Sequence, residues 1–352
     1  MFSDSEIKNI KEAWEKIKSS KRILLVAHLN PDVDALSSLG AFIEILKDYN
    51  KDYLAFANSK SSDYNFLSNE EEIIDNLDDL FKIVGNKYNN GNKVADDFLK
   101  FFDLIIVLDC GSIERTFLAS YIYKVKELNN PPFIIEFDHH IPLKTYADIE
   151  IKKIFASTTE ILYDFFAINK IAINREVANC LLAGILSDTA NFLYPSVSDR
   201  TLAVASNLMD LGAQFPKLLN STWRNKNFVE MKLLGLALDN LKVNKKYNIS
   251  FSILPYEDLN NIIKDYNYLN GDIFGDIAGF LSSLSETDII MLLREEKPGF
   301  IKGSLRVGAS RPGIKADVNK LASIFGGGGH KKASGFLIKG NIIKEGSNFK
   351  IV

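Results

Sequence analysis

Residues 22–34, with the sequence RILLVAHLNPDVD, decide the class of fold because they join an apolar run to a group of polar side chains. The run RILLVA is short and bounded by polar residues, which is typical of a buried strand in a parallel sheet. From residue 35 to residue 49, apolar side chains recur at helical spacing. Open α/β sheets place their sites at the carboxyl ends of such strands, so His28, Asp32 and Asp34 are candidate site residues.

Two further apolar runs, residues 104–108 and 133–137, also end in polar side chains. One more acidic residue follows an apolar helical run. These positions are Asp109, Asp138, His139, His140 and Asp188. Separate loops are therefore expected to bring carboxylates and imidazoles to one edge of the sheet.

Clustered aspartate and histidine residues of this kind indicate a metal site. Several carboxylates at one place are costly to desolvate unless cations compensate their charge. Aspartate and histidine without cysteine suit Mn²⁺ or a similar divalent ion better than structural Zn²⁺. The ligands are numerous enough for two cations, so the motifs predict a metal-dependent hydrolase.

Strands alternating with helices predict an α/β protein of two domains. We expect an N-terminal, mainly parallel sheet flanked by helices, a smaller C-terminal α/β domain with a mixed sheet, and a cleft between them. The predicted boundaries are residues 1–195 for the first domain, 196–228 for a helical linker and 229–352 for the second domain. In the first domain a helix is expected at about residues 158–168, preceded by Ser157 with Glu160 three residues on, a capping pattern. In the second domain strands are expected at residues 247–254, 288–294, 300–307 and 334–338, with a helix at 316–325.

Composition narrows the class of protein. The 352 residues are 46% hydrophobic and 25% charged, which is ordinary for a globular chain. No apolar run approaches the ~20 residues that span a bilayer, so no membrane association is predicted. Only two cysteines are present, which favours a reducing compartment and hence the cytoplasm.

The net charge of -3 conceals an asymmetry. Residues 294–350 contain 12 Lys and Arg against 4 Asp and Glu, while the rest of the chain contains 30 against 41. A basic C-terminal part suits an anionic substrate, although charge alone is equally compatible with a solvated basic surface. A run of four glycines at residues 326–329 would let backbone N–H groups approach phosphate oxygens closely.

These motifs resemble the DHH phosphoesterase superfamily with its DHH-associated C-terminal domain, in particular the nanoRNase/pAp phosphatase branch. The resemblance covers nearly the whole chain. Five motifs agree in order and context: the HxxxDxD loop, Asp109, the Asp138-His139-His140 triplet, the Asp188 motif and the glycine run with His330.

The resemblance implies a role for each motif residue. One Mn²⁺ would be held by His28, Asp32 and Asp109. The second would be held by Asp34, Asp109, His139 and Asp188, so that Asp109 is shared. His140 would contact the substrate phosphate and Asp138 would support it, which makes Asp109, His140 and Asp138 the catalytic residues. In the second domain the implied nucleotide-binding residues are Ser304, Arg306, Gly327, Gly328, Gly329 and His330.

The implied activity is Mn²⁺-dependent hydrolysis of short oligonucleotides or dinucleotides, such as pApA, to nucleoside 5′-monophosphates, with pAp 3′-phosphatase activity beside it. Cleavage of cyclic di-AMP is the alternative enzyme activity, and a nucleotide-binding module without catalysis is the alternative outside the enzymes. A processive exonuclease would need an extra strand-holding domain, so long duplex DNA is not an expected partner. A homodimer is compatible with the resemblance, and no residue pattern decides it. Arg115 could reach a phosphate or form a surface ion pair.

Overall fold

The computed structural model describes residues 2–59, 67–94, 97–140, 145–194, 196–222, 226–264, 273–308, 316–329, 331–346 and 348–352. The chain divides into two compact units, Met1–Asn225 and Lys226–Val352. Within the described ranges, no helix has both the length and the apolar character needed to cross a bilayer.

A six-stranded, wholly parallel sheet forms the centre of the first unit. Its strands are β1 (Arg22–Val26), β2 (Asp52–Phe56), β3 (Ile73–Ile74), β4 (Leu104–Leu108), β5 (Phe133–Asp138) and β6 (Ile149–Lys152). Their order is β3-β2-β1-β4-β5-β6, so the strand order reverses between β1 and β4. In open α/β sheets the crevice at this reversal, outside the carboxyl ends of the strands, is where ligands bind.

Helices cover both faces of this sheet. They are α1 (Asp4–Ser19), α2 (Val33–Asp48), α3 (Leu77–Tyr88), α4 (Ala119–Val125), α5 (Thr158–Ile168), α6 (Arg175–Asp188), α7 (Asp199–Asp210) and α8 (Phe215–Thr222). One apolar core lies between the sheet and helices α1, α2, α5 and α6, and a second lies on the side of α3 and α4. Helices α7 and α8, within the predicted linker range of residues 196–228, belong to the first unit.

The second unit contains a mixed sheet. Its strands are β7 (Lys242–Asn244), β8 (Ile249–Leu254), β9 (Ile289–Lys297), β10 (Phe300–Val307), β11 (Gly328–Gly329) and β12 (Ala333–Lys339), in the order β11-β12-β10-β9-β8-β7. Strands β8 and β9 run parallel, and the other pairs are antiparallel. The predicted α/β class, with a parallel sheet followed by a mixed sheet, is confirmed.

The other elements that the described residues of the second unit form are four helices and a hairpin. The helices are α9 (Phe228–Asp239), α10 (Tyr256–Ile263), α11 (Ile273–Leu281) and α12 (Val318–Ile324), and the hairpin pairs β13 (Ile342–Glu345) with β14 (Asn348–Ile351). Helices α9, α10 and α11 pack on one apolar core and α12 on another. The face of the sheet toward α9–α11 includes Leu292, and the face toward α12 includes Leu305.

Candidate metal centre

The predicted metal-binding side chains of the first unit converge at the point where the strand order reverses. His28 follows β1, Asp109 follows β4, and β5 ends at Asp138. Strand β1 pairs with β4, and β4 pairs with β5, so these ends are adjacent. Asp32 caps the N-terminus of α2 through its side chain, which accepts a hydrogen bond from the Ala35 N–H at 3.0 Å.

In the part of the chain that the structure describes, three groups of side chains have ligand atoms within 4.8 Å of one another and could each hold a metal ion. The groups are His28 with Asp32 and Asp109, Asp34 with His139 and Asp188, and Asp109 with His139 and His140. The first two groups together contain all six residues predicted as metal ligands. They meet at Asp109, whose Oδ1 lies 3.5 Å from Nε2 of His139.

The start of helix α5 holds the buried carboxylate of Asp34. The backbone N–H of Thr158 donates to Oδ2 at 2.7 Å, and the Thr159 hydroxyl donates to Oδ1 at 2.7 Å. Helix α6 passes so close that a Cβ at Gly184 would lie 2.3 Å from Oδ1 of Asp34 and 2.4 Å from Oγ1 of Thr159. Glycine at this position therefore lets α6 and α5 close around the carboxylate.

Asp109 is held in a strained conformation with one oxygen left for a cation. Its φ of 58° lies in the left-handed region, where a non-glycine residue is uncommon. The backbone N–H donates to the Phe137 carbonyl at 3.0 Å, and the Thr158 hydroxyl donates to Oδ1 at 2.8 Å. Among the described residues, Oδ2 has no hydrogen-bond partner although it is buried. A buried carboxylate oxygen without a donor is costly unless a cation binds it, so this residue fits a metal ligand.

The imidazole rings of His28 and His139 both point their Nε2 atoms toward carboxylates of the site. Nδ1 of His28 donates to the Leu29 carbonyl at 2.9 Å, and Nδ1 of His139 to the Phe155 carbonyl at 3.3 Å. A carbonyl oxygen can only accept, so Nδ1 carries the hydrogen and Nε2 a lone pair, as in most metal-binding histidines. Burial lowers the pKa of His139 to about 4, which keeps this ring neutral at pH 7.

The carboxylates of the site carry more negative charge than their neighbours compensate. Burial raises the pKa of Asp34 to about 6, and the charge of Asp32 adds to the effect. Burial, reinforced by the charge of Asp34, also raises the pKa of both Asp109 and Asp188 well above the usual range. Asp188 is the last residue of α6, where the helix dipole is negative. Divalent cations would compensate this charge, so the donor set fits two of them.

His140 is fixed by a separate set of contacts beside this cluster. Its Nδ1 lies 2.7 Å from Oδ1 of Asp138, and its backbone N–H donates to the same oxygen at 2.8 Å. The other oxygen of Asp138 accepts from the Gly111 N–H. A Cβ at Gly111 would lie 3.5 Å from Cγ of His140 and 3.2 Å from Nη1 of Arg115. Arg115 is exposed, and its guanidinium lies near the His140 ring, since both are next to the same position at Gly111.

The predicted nucleotide-binding residues form a second group on the sheet of the other unit. Ser304 and Arg306 alternate along β10 and so project from the same face of the sheet. Ser304 pairs with Gly335 of β12, and Gly335 pairs with Gly328 of β11, so the glycine run lies two strands from the serine. His330 lies outside the described residues.

The sequence interpretation missed Thr158 and Thr159, whose hydrogen bonds to Asp34 and Asp109 are described above. The sequence feature that could have pointed to them is the predicted start of a helix after Ser157. The structure confirms this helix start, since the Ser157 side chain accepts a hydrogen bond from the Glu160 N–H at 3.1 Å. That pattern locates a helix end but does not say which carboxylates it faces.

Comparison with known proteins shows which domain families the chain matches. Residues 22–185 match the DHH family, N-terminal domain, and residues 258–348 match the DHHA1 domain. The uncharacterized protein MG371 of Mycoplasma genitalium is 26% identical over 334 residues, which is 94% of this chain and 90% of that protein. The probable bifunctional oligoribonuclease and PAP phosphatase NrnA of Streptococcus mutans is 25% identical over 325 residues, 91% of this chain and 90% of that protein.

A solved structure shares the fold. The exopolyphosphatase-related protein from Bacteroides fragilis has a TM-score of 0.77 at 24% identity, and the match covers 94% of this chain and 90% of that chain. At this identity the likeness concerns the fold.

Proposed function

The chain belongs to the DHH family, and on that premise we propose that it is a Mn²⁺-dependent phosphodiesterase that hydrolyses short oligonucleotides to nucleoside 5′-monophosphates. The observation that carries the proposal is the proximity of two ligand groups. They are His28 with Asp32 and Asp109, and Asp34 with His139 and Asp188, and Oδ1 of Asp109 lies 3.5 Å from Nε2 of His139. Carboxylate and imidazole ligands in this number suit two divalent ions.

The proposed substrates are short, 5′-phosphorylated oligonucleotides such as pApA, and pAp as a second substrate. The Streptococcus mutans relative, named as a probable bifunctional oligoribonuclease and PAP phosphatase, supports this class. The basic balance of residues 294–350, 12 Lys and Arg against 4 Asp and Glu, supports an anionic substrate as well.

In this proposal His28, Asp32 and Asp109 hold one cation, and Asp34, Asp109, His139 and Asp188 hold the other. When bound, two divalent cations lower the pKa of a water molecule and neutralise charge on the phosphate. The protein orients the ligands beforehand, because Thr158 and Thr159 fix the carboxylates of Asp109 and Asp34 by hydrogen bonds.

His140 acts on the phosphate and on the leaving oxygen. Nδ1 of His140 lies 2.7 Å from Oδ1 of Asp138, and this contact fixes the orientation of the ring. Nε2 would then donate to a phosphate oxygen and pass its proton to the departing sugar oxygen, which leaves as a hydroxyl. The guanidinium of Arg115 lies near the same ring. It supplies further hydrogen-bond donors to the phosphate, because a guanidinium can form two parallel hydrogen bonds.

The second unit binds the nucleotide portion of the substrate. Arg306 and Ser304 supply hydrogen-bond donors on one face of the sheet, and Gly335 and Gly328 leave the neighbouring positions across the strands without side chains. The sequence-based expectation of free N–H groups does not hold for Gly326 and Gly327, whose backbone N–H groups donate to the carbonyls of Ser323 and Ala322. A Cβ at Gly327 would lie 2.1 Å from the Gly335 carbonyl oxygen, so the run can pack in this way only with glycine.

The experiment is a hydrolysis assay with purified protein in EDTA, Mg²⁺ or Mn²⁺, using pApA, pAp and cyclic di-AMP and separating the products by chromatography. We expect AMP from pApA with Mn²⁺ and none in EDTA. Asp109→Ala should abolish AMP formation, whereas Asp210→Ala, an exposed aspartate at the end of α7, should leave it unchanged. Preferential cleavage of cyclic di-AMP, or activity in EDTA, would contradict the proposal.

A further inference from the structure

Arg294 of β9 is the largest fully buried side chain among the described residues, with 1% of its surface exposed. Arginine is almost never fully buried unless it is paired, because its charge is costly to remove from water. A buried guanidinium on an internal strand therefore needs an explanation in the groups around it.

Three neighbours account for the burial. Nε of Arg294 donates to Oε1 of Glu296 at 2.6 Å, and Nη1 donates to Oγ of Ser304 at 3.0 Å. The guanidinium carbon lies 4.4 Å from the centre of the Phe274 ring, a cation–π contact. The carboxylate compensates the charge, the ring covers one face of the guanidinium, and the serine receives a directed hydrogen bond.

The bond to Ser304 constrains what that serine can do. A serine hydroxyl can donate one hydrogen bond and accept others. The arginine can only donate, so Oγ of Ser304 accepts here and its own hydrogen points elsewhere. Ser304 as a whole retains 9% exposure, so the groups around it do not enclose it completely.

We propose that Arg294 is a positioning residue, which fixes the Ser304 hydroxyl as a hydrogen-bond donor to a phosphate oxygen of the nucleotide substrate. The inference rests on the proposed function, since it deepens the role given there to Ser304. It also gives the site a preference: because Oγ of Ser304 accepts from the arginine, its own hydrogen is left to donate, which favours a ligand atom that accepts, such as a phosphate oxygen.

The strand pairing supports a ligand at this place. Ser304 faces Gly335, and Gly335 faces Gly328, so two neighbouring positions across the sheet carry no side chain that would cover the hydroxyl. The only described atom within 4 Å of a Cβ built at Gly328 is Oδ1 of Asn319, at 3.9 Å. A phosphate can therefore approach Ser304 along the glycines.

The test is a double-mutant cycle with Arg294→Met, Ser304→Ala and the double variant. KM and kcat would be measured with pApA and with bis(p-nitrophenyl) phosphate, which has no nucleotide portion. We expect Arg294→Met to raise the KM for pApA about tenfold, the effect of one charge-assisted hydrogen bond, with little change in kcat. The small phosphodiester should be unaffected. The double variant should be no worse than Ser304→Ala, because the arginine acts through the serine.

Two further variants separate positioning from general effects. Arg294→Lys keeps the charge but loses the fork geometry, so it should recover part of the KM. Lys302→Met removes a positive charge from the neighbouring strand, since Lys302 pairs with Arg294, and it should change KM little. Equal increases for Lys302→Met and Arg294→Met would overturn the inference, because they would reflect net charge. Thermal melts of all variants report folding.

The outcome distinguishes this inference from the proposed function. A raised KM for Ser304→Ala without one for Arg294→Met overturns the inference and leaves the function standing. Calorimetric binding of pApA in EDTA gives an independent reading, because it needs no catalysis. If the wild type fails to hydrolyse pApA but binding shows the same coupling between the two residues, the inference stands and the proposed activity falls.

Discussion

The hydroxyl of Thr158 donates a 2.8 Å hydrogen bond to Oδ1 of Asp109, while the backbone N–H of the same threonine donates to Asp34 at 2.7 Å. One residue at the start of α5 thus orients carboxylates of both proposed metal sites. Residues that orient metal ligands through hydrogen bonds commonly change metal affinity 10- to 100-fold when they are replaced.

Thr158→Val removes the hydroxyl and keeps the shape and the backbone N–H. We expect Mn²⁺ to bind about tenfold more weakly, because Asp109 is then free to rotate. Calorimetric titration of Mn²⁺ measures the affinity directly. Thr201→Val is the control, since its buried hydroxyl contacts Ser198 at the start of α7, 3.0 Å away. Unchanged affinity in Thr158→Val would show that Asp109 does not depend on this bond.

Gly184→Ala introduces a methyl group where no space exists, 2.3 Å from Oδ1 of Asp34. We expect the free energy of unfolding to fall by about 1–3 kcal/mol, since overpacking a buried contact forces its neighbours to shift. Gly235→Ala is a matched control within helix α9, where no described atom lies within 4 Å of the added carbon. It should stabilise that helix by roughly 0.5–1 kcal/mol. Denaturant unfolding of both variants measures the difference, and a neutral Gly184→Ala would show that α6 can move away from the site.

His140→Ala separates a substrate contact from a metal ligand. As a phosphate-binding residue and proton donor, His140 should matter for kcat, so we expect a loss of roughly 10²–10⁴-fold with pApA. Mn²⁺ affinity should change little. Asp138→Asn, which weakens the partner of His140, should lower kcat in the same direction. A parallel loss of Mn²⁺ affinity in His140→Ala would mean that the group of Asp109, His139 and His140 holds a cation instead.

Glu136 of β5 gives a pH dependence that can be isolated from the metal ligands. It is fully buried, 2.6 Å from Nζ of Lys152, and burial raises its pKa to about 7 in spite of that partner. The folded pKa lies above the unfolded value, so the stability that this group contributes is complete below about pH 4.5 and is lost as the pH rises through about 7.

The Tm of the wild type should therefore fall between pH 5 and pH 8 by a few degrees more than the Tm of Glu136→Gln. A difference of this size is on the order of the shift produced by 1–2 kcal/mol. Thermal unfolding in EDTA at four pH values measures it. The carboxylates of the proposed metal sites are the same in both proteins, so their effect on Tm cancels in the comparison. Parallel curves would show that Glu136 does not titrate in this range.

The sequence predicts those elements whose signal is local. The strand at Leu104–Leu108, the strand at Phe300–Val307 and the helix at Thr158–Ile168 have the predicted bounds, because each is a continuous or periodic apolar run with polar limits. The edge strand β6 and the hairpin β13–β14 were not predicted. They are only four residues long, and their apolar and charged residues give no strong pattern.

The residues of the candidate site also differ in how far local sequence signals predict them. Strand ends locate Asp109 and Asp138, but the contacts that orient them depend on residues far along the chain. Thr158 is 124 residues from Asp34, and no spacing in the sequence connects them. Arg294 marked the predicted end of a strand because it is charged, whereas β9 continues to Lys297. Its burial depends on Glu296, two residues further along the same strand, and on Ser304, which the pairing of β9 with β10 brings to it.

The central claim is that Asp109 is shared by two divalent cations. Anomalous diffraction at the manganese edge from crystals soaked in MnCl₂ tests it most directly. We expect two peaks about 3.5–4 Å apart, one beside His28 and Asp32 and the other beside Asp34 and Asp188, with Asp109 bound to both. A single peak that Asp109 does not touch, or no peak at this edge of the sheet, would contradict the account.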